Sequence, residues 1–447
     1  MPPLSEAVAR YHKLLEHDRY CDLGWAEQLH EQMRPNLSDS GRLLMPVLRP
    51  HFITRRQLEN LTRVSEQLAV IVDQVEAVAL ESRPLLERLQ MLPAEKMLAA
   101  IPSGYSRFTV ASRFSAHIQN GSLFMCGVDA CKAAGLAYSD LLDDLFLELP
   151  IVREFKRAGY KLSKLGSVKH LHSALLNAWK EFGGTAPPNI AIIESAQPTG
   201  AGEVRLLAER FSSFGSPSLV VSPEQLDYSS GVLYAGGFRI DIAFRRMLTR
   251  ELLVRSDLSH PLLHAYRDRA VCLVNSFRSE IAQRRSLFDL LTDETVTSRL
   301  SSADHKLIRT FVPWTRVVSQ RKTKYRGETI DLPEFILRSQ GDLMLLPNEE
   351  GNDRRSFIGS EMNAPAWERA LQLALRASYV VQERPRAAPE SFPVLAYGEL
   401  KMREANVFVH PQVFNGQVQG ASATLESTAP GAPAAFALAP VFLLEEN

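Results

Sequence analysis

Residues 189–222 read NIAIIESAQPTGAGEVRLLAERFSSFGSPSLVVS, and their pattern indicates the fold class. An apolar run at 189–194 precedes a segment with apolar side chains at helical spacing, at about 202–211, and a second apolar run follows at 218–222. Two short apolar strands joined by a helix form a βαβ unit, in which the crossover helix makes the strands parallel. We therefore predict an α/β protein with a parallel, Rossmann-like layer.

Downstream of this unit the sequence predicts more sheet. Residues 231–244 have the pattern of a hairpin that turns at Gly236-Gly237. Strands are predicted at 342–346 and 379–382, separated by a helix that begins near Pro365. The Ala- and Pro-rich residues 429–440 are expected to form a loop before a final strand at 441–444.

Upstream, two strands and two helical regions are predicted. Residues 107–114 and 122–126 have strand character and flank the turn residues 119–121, which predicts a hairpin. A helix is expected over 137–149, ending at Pro150. The first hundred residues carry an apolar stripe of period 3.6 from Leu58 to Val78, preceded by Thr54 and Gln57 at capping-box spacing, and are predicted to be helical.

The composition excludes several classes of function. Lys+Arg and Asp+Glu are equal at 51 each, so no net field recruits nucleic acid or an anionic membrane. No apolar run is long enough for a secretory signal or a membrane span, and we expect a cytoplasmic protein. The four cysteines form no CxxC pair, and reduced thiols are expected.

Motifs of catalysis or binding are weak when considered singly. The turn Thr199-Gly-Ala-Gly202 lies between a strand and a helix, where its amides could hold an anion, but it lacks the third glycine of a dinucleotide site. The histidine pairs at 170/172 and 260/264 have no neighbouring Glu or Cys that would complete a metal site. The many arginines of the α/β region suit either phosphate binding or a solvated surface.

In order and spacing, residues 107–447 resemble the circularly permuted ATP-grasp family that includes glutathionylspermidine synthase. The segments that carry the resemblance are AGLAYSDLLDDLFLELP (134–150), PPNIAIIE (187–194), GVLYAGGFRIDIAFRRML (231–248), VCLVNSFRSEIAQRRSLFDLLTDE (271–294), FVPWTRVV (311–318), DLMLLPNEEGNDRRSFIGSEMNAPAWERALQLAL (342–375) and YVVQERP (379–385). The resemblance implies an α/β (α+β) ATP-grasp fold with a Rossmann-like pre-ATP-grasp layer and an N-terminal helical region. We expect four parts: helical residues 1–100, the hairpin and helix at 101–150, the Rossmann-like residues 151–290, and the ATP-grasp lobe with the carboxyl-terminal strands at 291–447.

The same resemblance implies a magnesium site on the predicted hairpin. The family places an arginine and an aspartate on the first strand, then a glutamate and an asparagine on the second. This chain matches the arginine with Arg113 but has Ser115, Gly127 and Asp129 at the other three positions. Since Mg²⁺ needs oxygen ligands, we predict a degenerate metal site in which Asp129 is the remaining carboxylate.

The phosphate-binding positions implied by the family have also changed. The family's lysine and glycine-rich loop correspond to Leu346 and residues 351–355, GNDRR, so Asp353 would repel phosphates unless Arg354 or Arg355 compensates. Arg284 replaces a lysine and keeps the charge, whereas Thr424 replaces a carboxyl-terminal arginine. Gln382 and Glu383 match the strand beside adenine and ribose.

Three functional hypotheses follow. The first is a degenerate ATP-grasp protein that binds ligand or serves as a partner subunit, beside an intact ATP-grasp ligase from the same operon. The second is an active carboxylate–amine ligase that uses Asp129, Arg284 and Arg354 and takes a peptide or amine substrate. The third is a small-molecule-binding module at Gly200–Gly202. ATP is the cofactor that the family implies, and we expect poor Mg²⁺ binding.

Overall fold

The computed structural model describes residues 4–39, 42–44, 46–119, 122–133, 135–166, 168–195, 201–255, 258–349, 355–385, 389–428 and 435–446. Helices and strands alternate through most of this length. The helices are α1 (Leu4–Leu15), α2 (Asp18–Cys21), α3 (Gly24–Met33), α4 (Arg55–Leu80), α5 (Arg83–Arg88), α6 (Pro93–Ala100), α7 (Leu136–Glu148), α8 (Pro150–Arg157), α9 (Val168–Phe182), α10 (Ala201–Ser213), α11 (Thr249–Arg255), α12 (Pro261–Arg267), α13 (Glu280–Gln283), α14 (Ser286–Leu291), α15 (Ser302–Phe311), α16 (Leu332–Arg338) and α17 (Ala364–Arg376).

The strands belong to several separate sheets. They are β1 (Ser38–Asp39), β2 (Arg42–Leu43), β3 (His51–Thr54), β4 (Ala111–Gln119), β5 (Ser122–Asp129), β6 (Tyr160–Lys164), β7 (Ile190–Ile193), β8 (Ser218–Val221), β9 (Leu226–Ser229), β10 (Val232–Ala235), β11 (Phe238–Ile240), β12 (Ile242–Arg245), β13 (Cys272–Val274), β14 (Thr315–Val317), β15 (Lys322–Tyr325), β16 (Glu328–Asp331), β17 (Leu343–Pro347), β18 (Phe357–Ile358), β19 (Tyr379–Glu383), β20 (Glu390–Ala396), β21 (Glu399–Phe414), β22 (Gln417–Ser427) and β23 (Ala435–Glu446).

The predicted βαβ unit is confirmed. Strands β7 and β8 pair in parallel and are connected by α10, and the whole sheet has the order β13-β12-β7-β8 with parallel neighbours. All four residues of β7 are buried, as expected for a strand covered on both faces. The predicted turn at Gly236–Gly237 connects β10 to β11 in a small antiparallel sheet beside this layer.

The largest sheet joins both ends of the chain. Its order is β3-β23-β22-β21-β4-β5, and β6 and β20 pair with β23 and β21. Strand β3 of the first hundred residues lies parallel to β23, and α4 packs on the same core. The loop predicted for 429–440 is wrong over 435–440, which are part of β23 because they pair with β22; residues 429–434 lie outside the described residues.

A third layer carries one wall of the cleft that is described below. Strands β14, β19, β17 and β18 form an antiparallel sheet, on which α16 and α17 pack. Trp367 of α17 is buried between them and donates from Nε1 to the carbonyl of Ile336 at 3.0 Å. The predicted strands and the predicted Pro365 helix are all present.

Asn275 connects the parallel sheet to the hairpin β4–β5. Its Oδ1 accepts from the amides of Val110 and Ala111 at 2.9 and 3.1 Å, and its Nδ2 donates to the carbonyls of Ala111 and Ala130 at 2.6 Å each. Because the side chain holds this backbone, the strand predicted from Arg107 begins only at Ala111. The predicted turn residues Asn120 and Gly121 lie outside the described residues.

The predicted helix start at Thr54 is confirmed. The Thr54 hydroxyl accepts from the Gln57 amide at 3.3 Å, and Gln57 Oε1 accepts from the Thr54 amide at 2.9 Å. The helix α4 ends at Leu80, and Pro84 lies in the first turn of α5. Within the described residues, no helix is long and apolar enough to cross a membrane.

Candidate functional site

A cleft of about 800 Å³ lies between the β4–β5 hairpin, the segment at α13–α14 and the sheet that contains β17 and β19. It brings together positions that are far apart in sequence. The predicted site residues in its wall are Arg113, Ser115, Gly127, Asp129, Arg284, Leu346, Gln382 and Thr424.

The hairpin register places the predicted metal positions opposite one another. Arg113 pairs with Asp129, and Ser115 pairs with Gly127. The Arg113 guanidinium lies 3.4 Å from Asp129 Oδ2, while Asp129 Oδ1 accepts from the Lys132 amide at 2.9 Å. Both carboxylate oxygens of Asp129 are therefore engaged by protein groups.

A neutral histidine adjoins the position where the family has its first carboxylate. His410 Nδ1 lies 3.3 Å from both Ser115 Oγ and the Phe114 carbonyl, and His410 Nε2 lies 2.7 Å from Thr424 Oγ1. Burial, assisted by Arg113, lowers the pKa of His410 well below its ordinary value. Ser115 and Thr424 thus belong to an uncharged polar network.

These residues do not fit a magnesium–triphosphate group. Gly127 offers no side-chain oxygen, Ser115 is hydrogen-bonded to His410, and Asp129 is paired with Arg113. Among the residues that the structure describes, no cluster of three or more His, Cys, Asp or Glu side chains could hold a metal ion. Hard Mg²⁺ prefers several oxygen ligands, and the hairpin supplies one carboxylate, Asp129, which is paired with Arg113.

Arg284 is held by two carboxylates. It follows α13, whose Glu280 forms a buried pair with Arg245 at 2.6 Å and fixes the segment. Its Nη2 contacts Glu95 Oε2, and its Nη1 contacts Glu349 Oε1 and also donates to the Gln90 carbonyl at 3.3 Å. The guanidinium is 2% exposed, so its charge is compensated inside the protein.

The other arginines of the cleft wall are engaged as well. Arg285 donates to the Pro347 carbonyl at 2.7 Å. Arg384 contacts Ser360 and donates to Glu361 at 3.0 Å. Part of the donor capacity of each of these guanidinium groups is therefore used within the protein.

The two predicted adenine-side residues point in different directions. Gln382 is fully buried in the wall, where its Nε2 donates to Thr315 Oγ1 at 3.0 Å and to the Cys126 carbonyl at 3.4 Å. Glu383 accepts from the hydroxyl of Tyr325 at 2.7 Å and from the amide of Trp314 at 3.1 Å, away from the described cleft wall. Only Gln382 is therefore placed at the cleft.

Some predicted positions cannot be located. Asp353 and Arg354 of the predicted phosphate loop, and Thr199 and Gly200 of the predicted anion turn, lie outside the described residues. Gly202 is described, and a Cβ there would lie 2.4 Å from the Asn36 carbonyl oxygen. Close backbone packing thus explains this glycine.

One histidine of each predicted pair has a structural partner. His172 Nε2 lies 2.9 Å from Ser216 Oγ, and His260 caps α12 by accepting from the Leu262 amide at 3.1 Å.

Sequence reasoning did not identify the cleft residues contributed by β21. Asn406, Phe408 and His410 alternate along the strand and face the cleft, whereas Val407 and Val409 face the core. This alternation with a period of two is present in the sequence and indicates residues on one face of a strand. It does not reveal that β21 pairs with β4, about 290 residues earlier.

Comparisons with known proteins show the fold. No family model matches the chain, and no curated protein matches it. A glutathione synthetase-like effector from Globodera pallida, in its apo form, aligns over 94% of this chain and 96% of its own with a TM-score of 0.59 and 12% identity. The shared fold is mixed α/β and ATP-grasp-like, as the sequence predicts.

Two further solved structures align more weakly. A putative gamma-glutamylcysteine synthetase from Methylobacillus flagellatus has 12% identity and a TM-score of 0.42 and covers 86% of each chain. A RimK domain ATP-grasp protein from Sphaerobacter thermophilus has 15% identity and a TM-score of 0.29 over 56% of this chain and 90% of its own.

Proposed function

We propose that this chain is a catalytically degenerate member of the circularly permuted, glutathionylspermidine-synthase-like ATP-grasp lineage, which binds a small molecule in its cleft as a binding or partner subunit. The observation that carries the proposal is the state of Arg284. Its guanidinium is buried between Glu95 and Glu349, so the charge that would hold a phosphate is used within the protein.

The chemistry of the lineage explains why the pairing of Arg284 argues against ligase activity. Forming an acyl phosphate from ATP requires a metal ion and cations that stabilise charge on the transferred phosphoryl group. Here Leu346 occupies the lysine position and lines the cleft, and the hairpin retains only Asp129, which is paired with Arg113. Since every 1.4 kcal/mol or so of lost transition-state stabilisation slows a reaction about tenfold, these changes together remove ordinary ligation.

The cleft itself supports a binding function. A volume of about 800 Å³ is within the range of small-molecule sites, and the wall combines apolar side chains with polar and charged ones. The Globodera pallida neighbour is called glutathione synthetase-like, which agrees with descent from a ligase scaffold. A partner subunit would be an intact ATP-grasp ligase encoded beside this protein.

Calorimetry separates this proposal from an active ligase. ATP is titrated into the protein with and without Mg²⁺, and ADP release is then followed with a panel of amines and carboxylates. We expect no Mg²⁺-dependent binding and no ADP. Micromolar Mg·ATP binding followed by amine-dependent ADP release would overturn the proposal.

The Asp129→Asn variant is the control for that experiment. If a ligase used Asp129 to hold Mg²⁺, the variant would abolish any observed turnover. Turnover that survives the substitution points instead to a contaminating ATPase.

A further inference from the structure

Two polar atoms on the cleft strands β4 and β19 lack hydrogen-bond partners among the described residues: His117 Nε2 and Gln382 Oε1. Both side chains are deeply buried, with exposed fractions of 4% and 0%. A buried polar atom without a partner is costly, and a ligand that fills the cleft can supply the missing bond.

The hydrogen bond of His117 fixes the chemical role of its unmatched nitrogen. Nδ1 lies 2.8 Å from the Val407 carbonyl, which can only accept, so Nδ1 carries a proton. Burial lowers the pKa of His117, which keeps the ring neutral at neutral pH. In the neutral ring, Nε2 is therefore an acceptor.

The orientation of Gln382 is fixed in the same way. The Cys126 carbonyl can only accept, and the Thr315 hydroxyl donates to the Pro313 carbonyl at 3.0 Å. The nitrogen of the Gln382 amide must face these two groups, so Oε1 is the remaining acceptor. His117 Nε2 and Gln382 Oε1 are thus both hydrogen-bond acceptors to which no described group donates.

A third unmatched atom is a donor. Arg284 Nε is buried without a hydrogen-bond partner among the described residues, although both terminal nitrogens of this side chain are engaged. Besides these three polar atoms, the wall contains apolar side chains, including Met344, Ile358 and Phe408. A matching ligand would have an apolar body, N–H donors and one carbonyl acceptor.

We propose that the cleft binds an uncharged carboxamide- or urea-type molecule whose N–H groups donate to His117 Nε2 and Gln382 Oε1, while its carbonyl accepts from Arg284 Nε. This inference rests on the proposed binding function and specifies its ligand class. An anion would set its own lone pairs against both acceptors, whereas an amide complements the wall.

Matched fluorinated probes test the donor requirement on the wild-type protein. Binding is measured by 19F NMR titration in the millimolar range for 4-fluorobenzamide, for 4-fluoro-N,N-dimethylbenzamide, which lacks the N–H donors, and for 4-fluorobenzoate, which has acceptors only. We expect the primary amide to bind at least about tenfold more tightly than either analogue, since a net hydrogen bond corresponds to about one decade in affinity.

Variants then locate the bound probe. Gln382→Met and His117→Phe remove the acceptors with little change in size, and each is expected to weaken binding of the primary amide about tenfold. Ser360→Ala is the matched control, because Ser360 lines the same cleft but already contacts Arg384. Its affinity for the amide should equal that of the wild type.

Several outcomes overturn the inference. Equal binding of the three probes, preference for the benzoate, or no binding of the primary amide would each show that ligand N–H groups do not bind to the unmatched acceptors. The comparison on the wild-type protein does not depend on the folding of any variant. If the primary amide does not bind, the expectation that the protein has no Mg·ATP turnover still stands. Failure of the ligand inference is therefore distinguishable from failure of the proposed function.

Discussion

Arg284 and Glu95 are almost completely withdrawn from water, which makes each depend on the other. Glu349 is partly exposed and also pairs with Arg250 at 2.8 Å. Charges buried in a protein interior are tolerated only when they are paired and hydrogen-bonded. Glu95, 189 residues earlier, also accepts from the Leu92 amide at 2.7 Å and thereby caps α6. The arginine was predictable from sequence as a retained charge, but its neutralisation was not, because no local pattern connects positions so far apart.

Removing Glu95 should therefore destabilise the protein severely. We expect Glu95→Ala to lower the free energy of unfolding by about 3–5 kcal/mol, because it leaves the Arg284 charge with one partner fewer and removes a helix cap. Urea denaturation measures the change. Glu87→Ala is the control, since Glu87 pairs with Arg83 on an exposed surface of α5 and should matter much less. Equal losses in the two variants would contradict the buried-pair interpretation.

Asp73 makes the free energy of unfolding depend on pH. Burial raises the pKa of Asp73 from 3.8 to about 6, although Arg107, 3.2 Å away, acts in the opposite direction. Between about pH 4 and about pH 6 the folded protein keeps a proton that the unfolded chain releases, so the free energy of unfolding falls as the pH rises through this interval.

Asp73→Asn should remove that contribution. We expect the variant to gain about 1–3 kcal/mol relative to wild type as the pH rises across the interval. Urea denaturation at several pH values provides the measurement. Parallel pH profiles of the two proteins would show that Asp73 titrates normally.

Among the elements, the β4–β5 hairpin was predicted from strand-like segments and turn residues, although its first strand spans Ala111–Gln119 and not 107–114. The register places Ser115 opposite Gly127. The structure also shows that Gly127 is not required by the backbone: a Cβ there would lie 3.8 Å from the Ser115 Cβ, an ordinary contact.

Two glycine substitutions test where the backbone requires glycine and where it does not. We expect Gly127→Ala to change the free energy of unfolding by less than about 0.5 kcal/mol, as for a site without steric conflict. Gly359→Ala should cost at least about 2 kcal/mol, because its Cβ would lie 2.0 Å from the Gln340 carbonyl oxygen. Chemical denaturation of both variants is the measurement, and a large loss at Gly127 would refute the idea that this position can accept a side chain.

The strands β23 and β3 show where sequence patterns stop being informative. Residues 435–440 contain Ala and Pro, which favour a loop locally, yet they extend β23 because β22 offers a complete partner. Likewise, β3 becomes a strand by pairing with β23 from the opposite end of the chain. Such pairings depend on tertiary context, which overrides local propensity.

Across the whole molecule, the first hundred residues hold a residue of the cleft wall, Arg284, in place from outside the cleft. The turn between α5 and α6 approaches the start of the predicted phosphate loop, where Asn348 Nδ2 donates to the Leu89 carbonyl at 3.0 Å and Arg284 Nη1 donates to the Gln90 carbonyl. Asn348 is fully buried, and its Oδ1 accepts from the Ser286 amide at 2.8 Å. This contact holds Arg284 and the loop start against the helical region.

Restoring the lineage's residues in the cleft should therefore not be sufficient to restore nucleotide binding. The variant Ser115→Asp/Gly127→Glu/Leu346→Lys supplies two carboxylates and the missing cation. Arg284 would nevertheless remain neutralised by its carboxylates, so we expect calorimetry to detect no Mg²⁺-dependent ATP binding by this triple variant.

Adding Glu95→Gln and Glu349→Gln to the triple variant releases the Arg284 charge while keeping the shapes of both side chains. The glutamine at 95 can still accept from the Leu92 amide, whereas at 349 one of the two oxygens that contact Arg284 and Arg250 becomes an amide nitrogen, which cannot accept. Each glutamine removes a negative charge that competes with phosphate for the same guanidinium, and we expect Mg²⁺-dependent ATP binding at least about tenfold tighter than in the triple variant. Circular dichroism must first show that the five-position variant is folded. Equal binding by both variants, or none by either, would show that the neutralised arginine is not what separates this cleft from an ATP site.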